Sequence, residues 1–219
     1  MKEKVILAYS TGKDSNYALW QLLQQSKLDL VGLFTTVSEE YNRVNMHGVD
    51  ISFLQEQALS LKLPLDIFYI TKSQTHEEYG QKMQSKMLKY RQKNIKNVAF
   101  GDIFLENLKM FRINNLKLLD MNAIFPLWKM NTLNLIEDFI FQGFQSIITC
   151  VDTNFLDISF LGQKLDWDLI KKLPKNIDFC GENGEYHSFV FDGPTFSYPI
   201  SFKKGKILQV DNYAYLEIL

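Results

Sequence analysis

Cysteine is scarce. The chain has two, Cys150 and Cys180, far apart and with no Cys-x-x-Cys pair. Zinc-ribbon and thioredoxin-type readings therefore have no support, and two reduced thiols in a cytosolic protein are expected. An excess of one charge is lacking too: 24 Lys and Arg against 25 Asp and Glu leave a net charge of -1 and a pI of about 6.3. Global charge thus favours neither nucleic acid nor an anionic membrane. No uncharged apolar run approaches the length of a membrane span, and the run in "MKEKVILAYS" is too short for a secretory segment. A cytoplasmic protein with no membrane or nucleic-acid partner is expected. What is present is ordinary for a soluble globular chain: 219 residues, 46% hydrophobic and 22% charged, enough for one large domain or two small ones. No repeat or low-complexity segment is visible.

The first half alternates strand and helix patterns. "KVILAYS" (4–10), "LDLVGLFTTV" (28–37), "LDIFYIT" (65–71) and "NVAFGDI" (97–103) read as buried strands. Helices are expected over 14–26, 50–62 (Asp50 or Ser52 as N-cap), 75–94 and 104–119. This alternation implies a parallel sheet with right-handed crossovers. The second half differs. A helix at 131–144, a strand at 145–151, a short helix at 166–173 and an acid- and glycine-rich stretch at 178–194 precede a strand-rich tail, with "KKGK" (203–206) expected as a hairpin turn. The expected fold is α/β, a Rossmann-like parallel sheet over 1–125 with a smaller C-terminal α+β domain over 126–219.

The stretch "STGKDS" (10–15) falls between the first strand and the first helix. In a parallel α/β sheet, ligands bind at the C-terminal strand ends. The helix start supplies free N–H groups and a positive dipole end. Gly12 allows a backbone that presents successive amides, Ser10, Thr11 and Ser15 add hydroxyls, and Lys13 adds a point charge. Together they suit a phosphate or pyrophosphate; the competing reading is an ordinary capped helix start. The Walker A pattern and the G-x-G-x-x-G fingerprint are both absent.

"STGKDS" resembles the S-G-G-x-D-S pyrophosphatase loop, or PP-loop, of the N-type ATP pyrophosphatases, which cleave ATP between the α and β phosphates. Thr11 stands where that family usually has glycine, so the loop geometry must suit a threonine. The stretch "CGENGEYHSFVFDGP" (180–194) resembles the signature of the diphthine–ammonia ligase family. "GDI" (101–103), "PLW" (126–128) and "NMHGVD" (45–50) match in order, and "ENGE" resembles the bacterial branch. Neither a cysteine pair of the tRNA-thiolating type nor residues for an amidotransferase domain are present.

The resemblance implies an adenine-nucleotide-alpha-hydrolase-like fold and an AMP-forming ATP-dependent ligase. A substrate carboxylate is adenylated, pyrophosphate leaves, and ammonia displaces AMP. ATP and ammonia are the implied co-substrates, with Mg²⁺; no metal-ligand set is read from the sequence. Ser10, Thr11, Gly12, Lys13, Asp14 and Ser15 are expected to hold phosphates. Phe34, Thr35, His47, Gly101 and Asp102 are expected to line the nucleotide. Asp102 could equally cap the helix that follows, and His47 could be a plain loop histidine. Lys13, Glu182, Glu185 and His187 are the expected catalytic residues, because carboxylates beside a histidine can bind ammonium or take its proton. A solvated acidic turn is the bland alternative. Arg112 and Lys109 are read as solvated or phosphate-directed, and Trp128 as junction packing. The acceptor would be modified elongation factor 2 in an archaeal or eukaryotic cell, or a small-molecule or cofactor carboxylate in a bacterium. A non-catalytic ATP sensor of the universal-stress type is the third reading, and it leaves "GENGEYH" without a task.

Overall fold

The computed structural model describes residues 2–44 and 46–219; Asn45 of "NMHGVD" lies outside the described residues. Strand β1 (Glu3–Ala8) occupies the centre of the first sheet. It pairs in parallel with β2 (Leu28–Ser38) on one side and β5 (Asn97–Ala99) on the other. β4 (Leu65–Ile70) adds in parallel outside β2, and β6 (Asn122–Ile124) outside β5. A two-residue strand, β3 (Arg43–Val44), pairs antiparallel with the end of β2. The chain therefore builds outward from β1 to β4, crosses back and builds outward again through β5. A crevice opens where such a reversal occurs, at the C-terminal ends of β1 and β5.

Side-chain alternation on β1 explains how both faces are covered. Val5 and Leu7 point to one face, and join buried residues of α1 (Lys13–Leu23) and α2 (Ile51–Leu61), among them Tyr17, Leu19, Leu22 and Leu54. Ile6 points to the other face, with Phe34, Phe68 and Val98. Met87 and Tyr90 of α3 (His76–Gln92) and Leu116 of α4 (Glu106–Lys117) close that second layer. A period of two on the strands and an apolar stripe on each helix are all this requires.

The second sheet is antiparallel, in the order β8 (Tyr186–Asp192), β7 (Gln145–Asp152), β10 (Tyr213–Ile218), β9 (Lys204–Val210). Helices α5 (Thr132–Phe141) and α6 (Trp167–Lys172) accompany it. Its inner residues Ile148, Phe189 and Leu216 belong to the same apolar cluster as Leu7 and Leu33. The Tyr17 ring of α1 meets Phe139 and Phe144, each edge-on at 6.2 Å. Among the described residues, no helix is long and apolar enough to cross a membrane.

Two local expectations are corrected. "KKGK" is not the tail hairpin turn. Residues 204–206 begin β9, and the reversal falls at Asp211–Asn212, where Val210 opposes Tyr213 and Asp211 takes a left-handed backbone with φ 52°. Asp and Asn accept that conformation more readily than Lys. The fourth predicted strand stops at Ala99, so "GDI" lies in the following loop. A Cβ on Gly101 would come within 3.2 Å of the Asp14 carbonyl, so this loop lies directly on the start of α1. The strand β6 carries no signal beyond three residues of "NAI". Helix caps follow the sequence more closely: Asp50 caps α2 through the Ser52 amide, and Thr75 with Glu78 forms a capping box on α3.

Candidate active site

Ser10, Lys13, Asp14 and Ser15 line a cavity of about 1140 Å³ at the crevice. The loop's carbonyls are tied inward. Thr35 donates its hydroxyl to the Tyr9 carbonyl at 2.6 Å, and Asn16 donates its side-chain amide to the Gly12 carbonyl at 2.9 Å. The Val190 amide and Gln57 Nε2 both reach the Thr11 carbonyl. Gly12 caps α1 with no side-chain hydrogen bond. The backbone amides of Thr11, Gly12, Asp14 and Ser15 have no partner among the described residues. Four unpaired amides at a helix start form a ready anion site.

Thr11 has φ 72°, a left-handed conformation that a β-branched residue rarely adopts. Its side chain is fully buried, and its hydroxyl makes no hydrogen bond among the described residues. Both features are costs that a glycine would not carry. Thr11→Gly is therefore expected to stabilise the chain by about 1 kcal/mol, after the entropy penalty of glycine is subtracted. The melting temperature should rise by roughly 2–4 °C. A fall in a thermal scan would count against strain at this residue.

Lys13 is buried at 2% exposure. Its ammonium pairs with Asp14 at 2.8 Å, donates to the Cys180 carbonyl and stands over the Tyr186 ring at 5.1 Å. Burial is the strongest single influence and opposes its charge, but Asp14, Tyr186 and Cys180 together overcome burial and hold its pKa above the ordinary lysine value. Its backbone amide donates to the Ser188 hydroxyl at 3.1 Å. The loop and β8 are thus stitched together directly.

Glu182 projects from the 178–185 turn and accepts the Ile103 amide at 2.7 Å. Burial lifts its carboxyl to about 7, helped by nearby Asp14 and Asp102. Ser10, Lys13, Asp14, Ser15, Phe34, Thr35, His47, Gly101, Asp102, Glu182 and His187 all line the cavity. Thr11 and Gly12 are not among its lining residues. Glu185 is placed elsewhere. It is buried, and its carboxylate accepts the amides of Asp178 and Asn183 and the Asn183 side chain, at 3.0–3.1 Å. Its visible work is to hold the turn that presents Glu182.

Asp102 does not cap α4, whose N-cap is Leu105. It pairs with Arg112, at 2.6 Å to Nε and 3.0 Å to Nη2, and that guanidinium lies 4.2 Å from the centre of the Phe100 ring. Lys109 stands over the Trp128 ring at 4.0 Å, and Trp128 packs on Phe125.

Several residues at the site carried no expectation. Asn16, Gln57 and Ser188 hold the loop, and Met83, Met87, Leu108 and Phe111 wall the cavity. Gln57 had one signal, a polar residue on the apolar face of α2 beside Leu54 and Ala58. The α3 and α4 wall had none, because apolar helix positions look the same whether they face a core or a cavity.

Family models match both halves of the chain: the diphthamide synthase N-terminal domain over residues 3–123 and the diphthamide synthase C-terminal domain over residues 131–218. The diphthine–ammonia ligase of Homo sapiens is 25% identical over 232 aligned residues, covering 94% of this chain and 85% of that protein. The Bos taurus enzyme of the same name gives the same identity and coverage. Among solved structures, the U34-tRNA thiolase NcsA of Methanococcus maripaludis, with its 4Fe-4S cluster, aligns with a TM-score of 0.38 and 15% identity. That alignment covers 62% of this chain and 55% of the other, a likeness too slight to argue from.

Proposed function

Since this chain belongs to the diphthamide synthase family, we propose that it is an ATP-dependent ligase that joins ammonia to a substrate carboxylate and releases AMP and pyrophosphate. The observation that carries this reading is the start of α1: the amides of Thr11, Gly12, Asp14 and Ser15 are unpaired among the described residues, and Ser10, Lys13, Asp14 and Ser15 line a cavity that Glu182 and Asp102 also line. We read residues 1–125 as the nucleotide-binding part and 126–219 as the part that completes the site.

The chemistry follows from the placements. The free amides of Thr11, Gly12, Asp14 and Ser15 receive the β and γ phosphates and stabilise the charge that develops as pyrophosphate leaves. Lys13 is fully engaged with Asp14 and the 178–185 turn, so its first task is to hold the two halves of the site in register. Phe34 and Thr35 flank the nucleoside from the end of β2. Glu182 sits at the junction and carries a carboxyl poised near neutrality, suited to take a proton from the attacking amine. Glu185 acts through the turn and not on the reacting atoms. Among the described residues, no group of three His, Cys, Asp or Glu side chains could hold a metal ion. Magnesium is therefore taken to arrive with ATP as part of the substrate, held mostly by its phosphates, as is usual for that ion.

The acceptor we propose first is the diphthine carboxylate of modified elongation factor 2. A small-molecule carboxylate would run through the same steps. No feature of the cavity favours a non-catalytic sensor. The reading is tested by the products. Incubation with ATP, ammonium and diphthine-bearing elongation factor 2 should yield AMP and pyrophosphate, resolved by ion-exchange chromatography. ADP and orthophosphate as the only products would overturn the assignment to α,β cleavage.

A further inference from the structure

The site contains an imidazole pair that the ligase steps above do not use. His47 follows the short strand β3, and His187 is the second residue of β8. Their ring centres lie 4.8 Å apart, tilted by 46°. His47 also lies against the phosphate loop itself. A Cβ added to Gly12 would come within 2.5 Å of its Cε1 atom, so only glycine leaves room for the ring. Nδ1 of His47 is 3.1 Å from the Ser188 carbonyl, an acceptor, so this nitrogen donates and Nε2 is left without the proton in the neutral ring. Nε2 of His187 is shielded from solvent and bonds to no group among the described residues. A buried ring nitrogen without a partner calls for a ligand.

We propose that His47 and His187 act as one unit that takes up a single proton when a polyphosphate settles on residues 11–15, so that the empty site is neutral there and the occupied one has a cationic wall. The inference rests on the reading of that loop as a phosphate site. The physical chain is short. Lys13 is the charged group beside both rings, and it disfavours a second cation. Burial acts in the same direction, holding the His47 imidazole down to about 4, with His187 also well below its ordinary value. On the other side, Asp14, Asp102 and Glu182 line the same cavity, and Cys150, across β7, is opposite His187. A polyanion arriving a few ångströms away reverses the balance and favours the imidazolium. Two imidazoliums in ring contact would repel, so the pair takes one proton and not two. The device ties the retention of pyrophosphate to protonation, and releases it as the proton leaves.

The experiment is calorimetric titration of ATP at pH 6.5 in two buffers of different ionisation enthalpy, with the unmodified chain and the H47Q/H187N variant. ATP's own ionisation is common to both proteins and cancels in the difference. The unmodified chain should take up about one proton more per ATP bound, and should bind ATP about tenfold more tightly than the variant. Equal proton counts with ATP bound to both would overturn the inference and leave the phosphate site standing. No ATP binding to the unmodified chain would overturn the phosphate-site reading and this inference together. If the variant does not fold, imidazole NMR of the unmodified chain decides: a new imidazolium signal on adding ATP supports the pair, and neutral-ring spectra throughout refute it.

Discussion

Glu182→Gln is expected to slow amide formation by about 10²–10³-fold while leaving the chain folded and more stable above neutral pH. The glutamine keeps the shape and can still accept the Ile103 amide through its own oxygen, so the turn stays in place. It cannot take a proton from an amine. The stability change follows from the raised carboxyl. In the folded chain it takes its proton near pH 7, against 4.5 as its ordinary value. The native state therefore binds the proton more tightly than the unfolded chain. The contribution of Glu182 is favourable below about pH 4.5 and is lost as the pH climbs towards 7. Glutamine escapes that loss, and at pH 8 the gain should be of the order of 2 kcal/mol after allowance for partial exposure. The parent's rate should rise with pH through about 7, and the variant's residual rate should lack that rise. Amide product by mass spectrometry and melting temperatures at pH 5 and pH 8 test both halves. A variant with the parental rate would remove Glu182 from the chemistry. One destabilised at pH 8 would show that its carboxylate is held by attractions not identified here.

Lys13→Ala should abolish turnover and also cost stability, about 3 kcal/mol or more. The sequence alone suggests a lysine that reaches for phosphate from a surface loop, and on that view its loss would spare the fold. The structure makes it a strut. Its ammonium is enclosed by the Asp14 carboxylate, the Cys180 carbonyl and the Tyr186 ring. Truncation leaves a carboxylate and a carbonyl facing each other with no cation between them. A charge-free pair separates the two roles. Lys13→Met with Asp14→Asn removes the orphaned charge and should recover at least half of the lost stability, with no recovery of AMP release. Denaturant titration and nucleotide chromatography give the two readouts. A stable, inactive Lys13→Ala would show that the lysine acts on the nucleotide alone.

The parallel sheet was legible because its strands are short apolar runs and its helices carry clear stripes, so Val5, Leu7 and Leu19 took their places from pattern alone. The turn of residues 10–15 was legible as a candidate anion site because the features are local: amides, a glycine and a helix start lie within six residues. Glu185 shows where such reading stops. Two glutamates three residues apart in "GENGEYH" are chemically alike in sequence. A turn directs Glu182 to the Ile103 amide and folds Glu185 back on the amides of Asp178 and Asn183. The His47–His187 contact joins residues 140 positions apart through β7 and β8, and only the register of those strands could bring it into view.

The hydrogen bond from the Lys13 amide to Ser188 spans 175 positions of the chain. It gives the site a birth date on the ribosome. At roughly 5–20 residues per second, some 10–35 s pass between synthesis of the loop and synthesis of the strand that completes it. During that interval the nascent chain carries the loop's sequence without its mould: Thr11 has no Val190 amide for its carbonyl, and Lys13 has no turn around its ammonium. A left-handed threonine and a desolvated lysine have no reason to persist there on their own. On the proposed reading nucleotide capture accordingly belongs to the finished chain, and a truncated product that stops short of β8 should be a sheet without a grip on ATP.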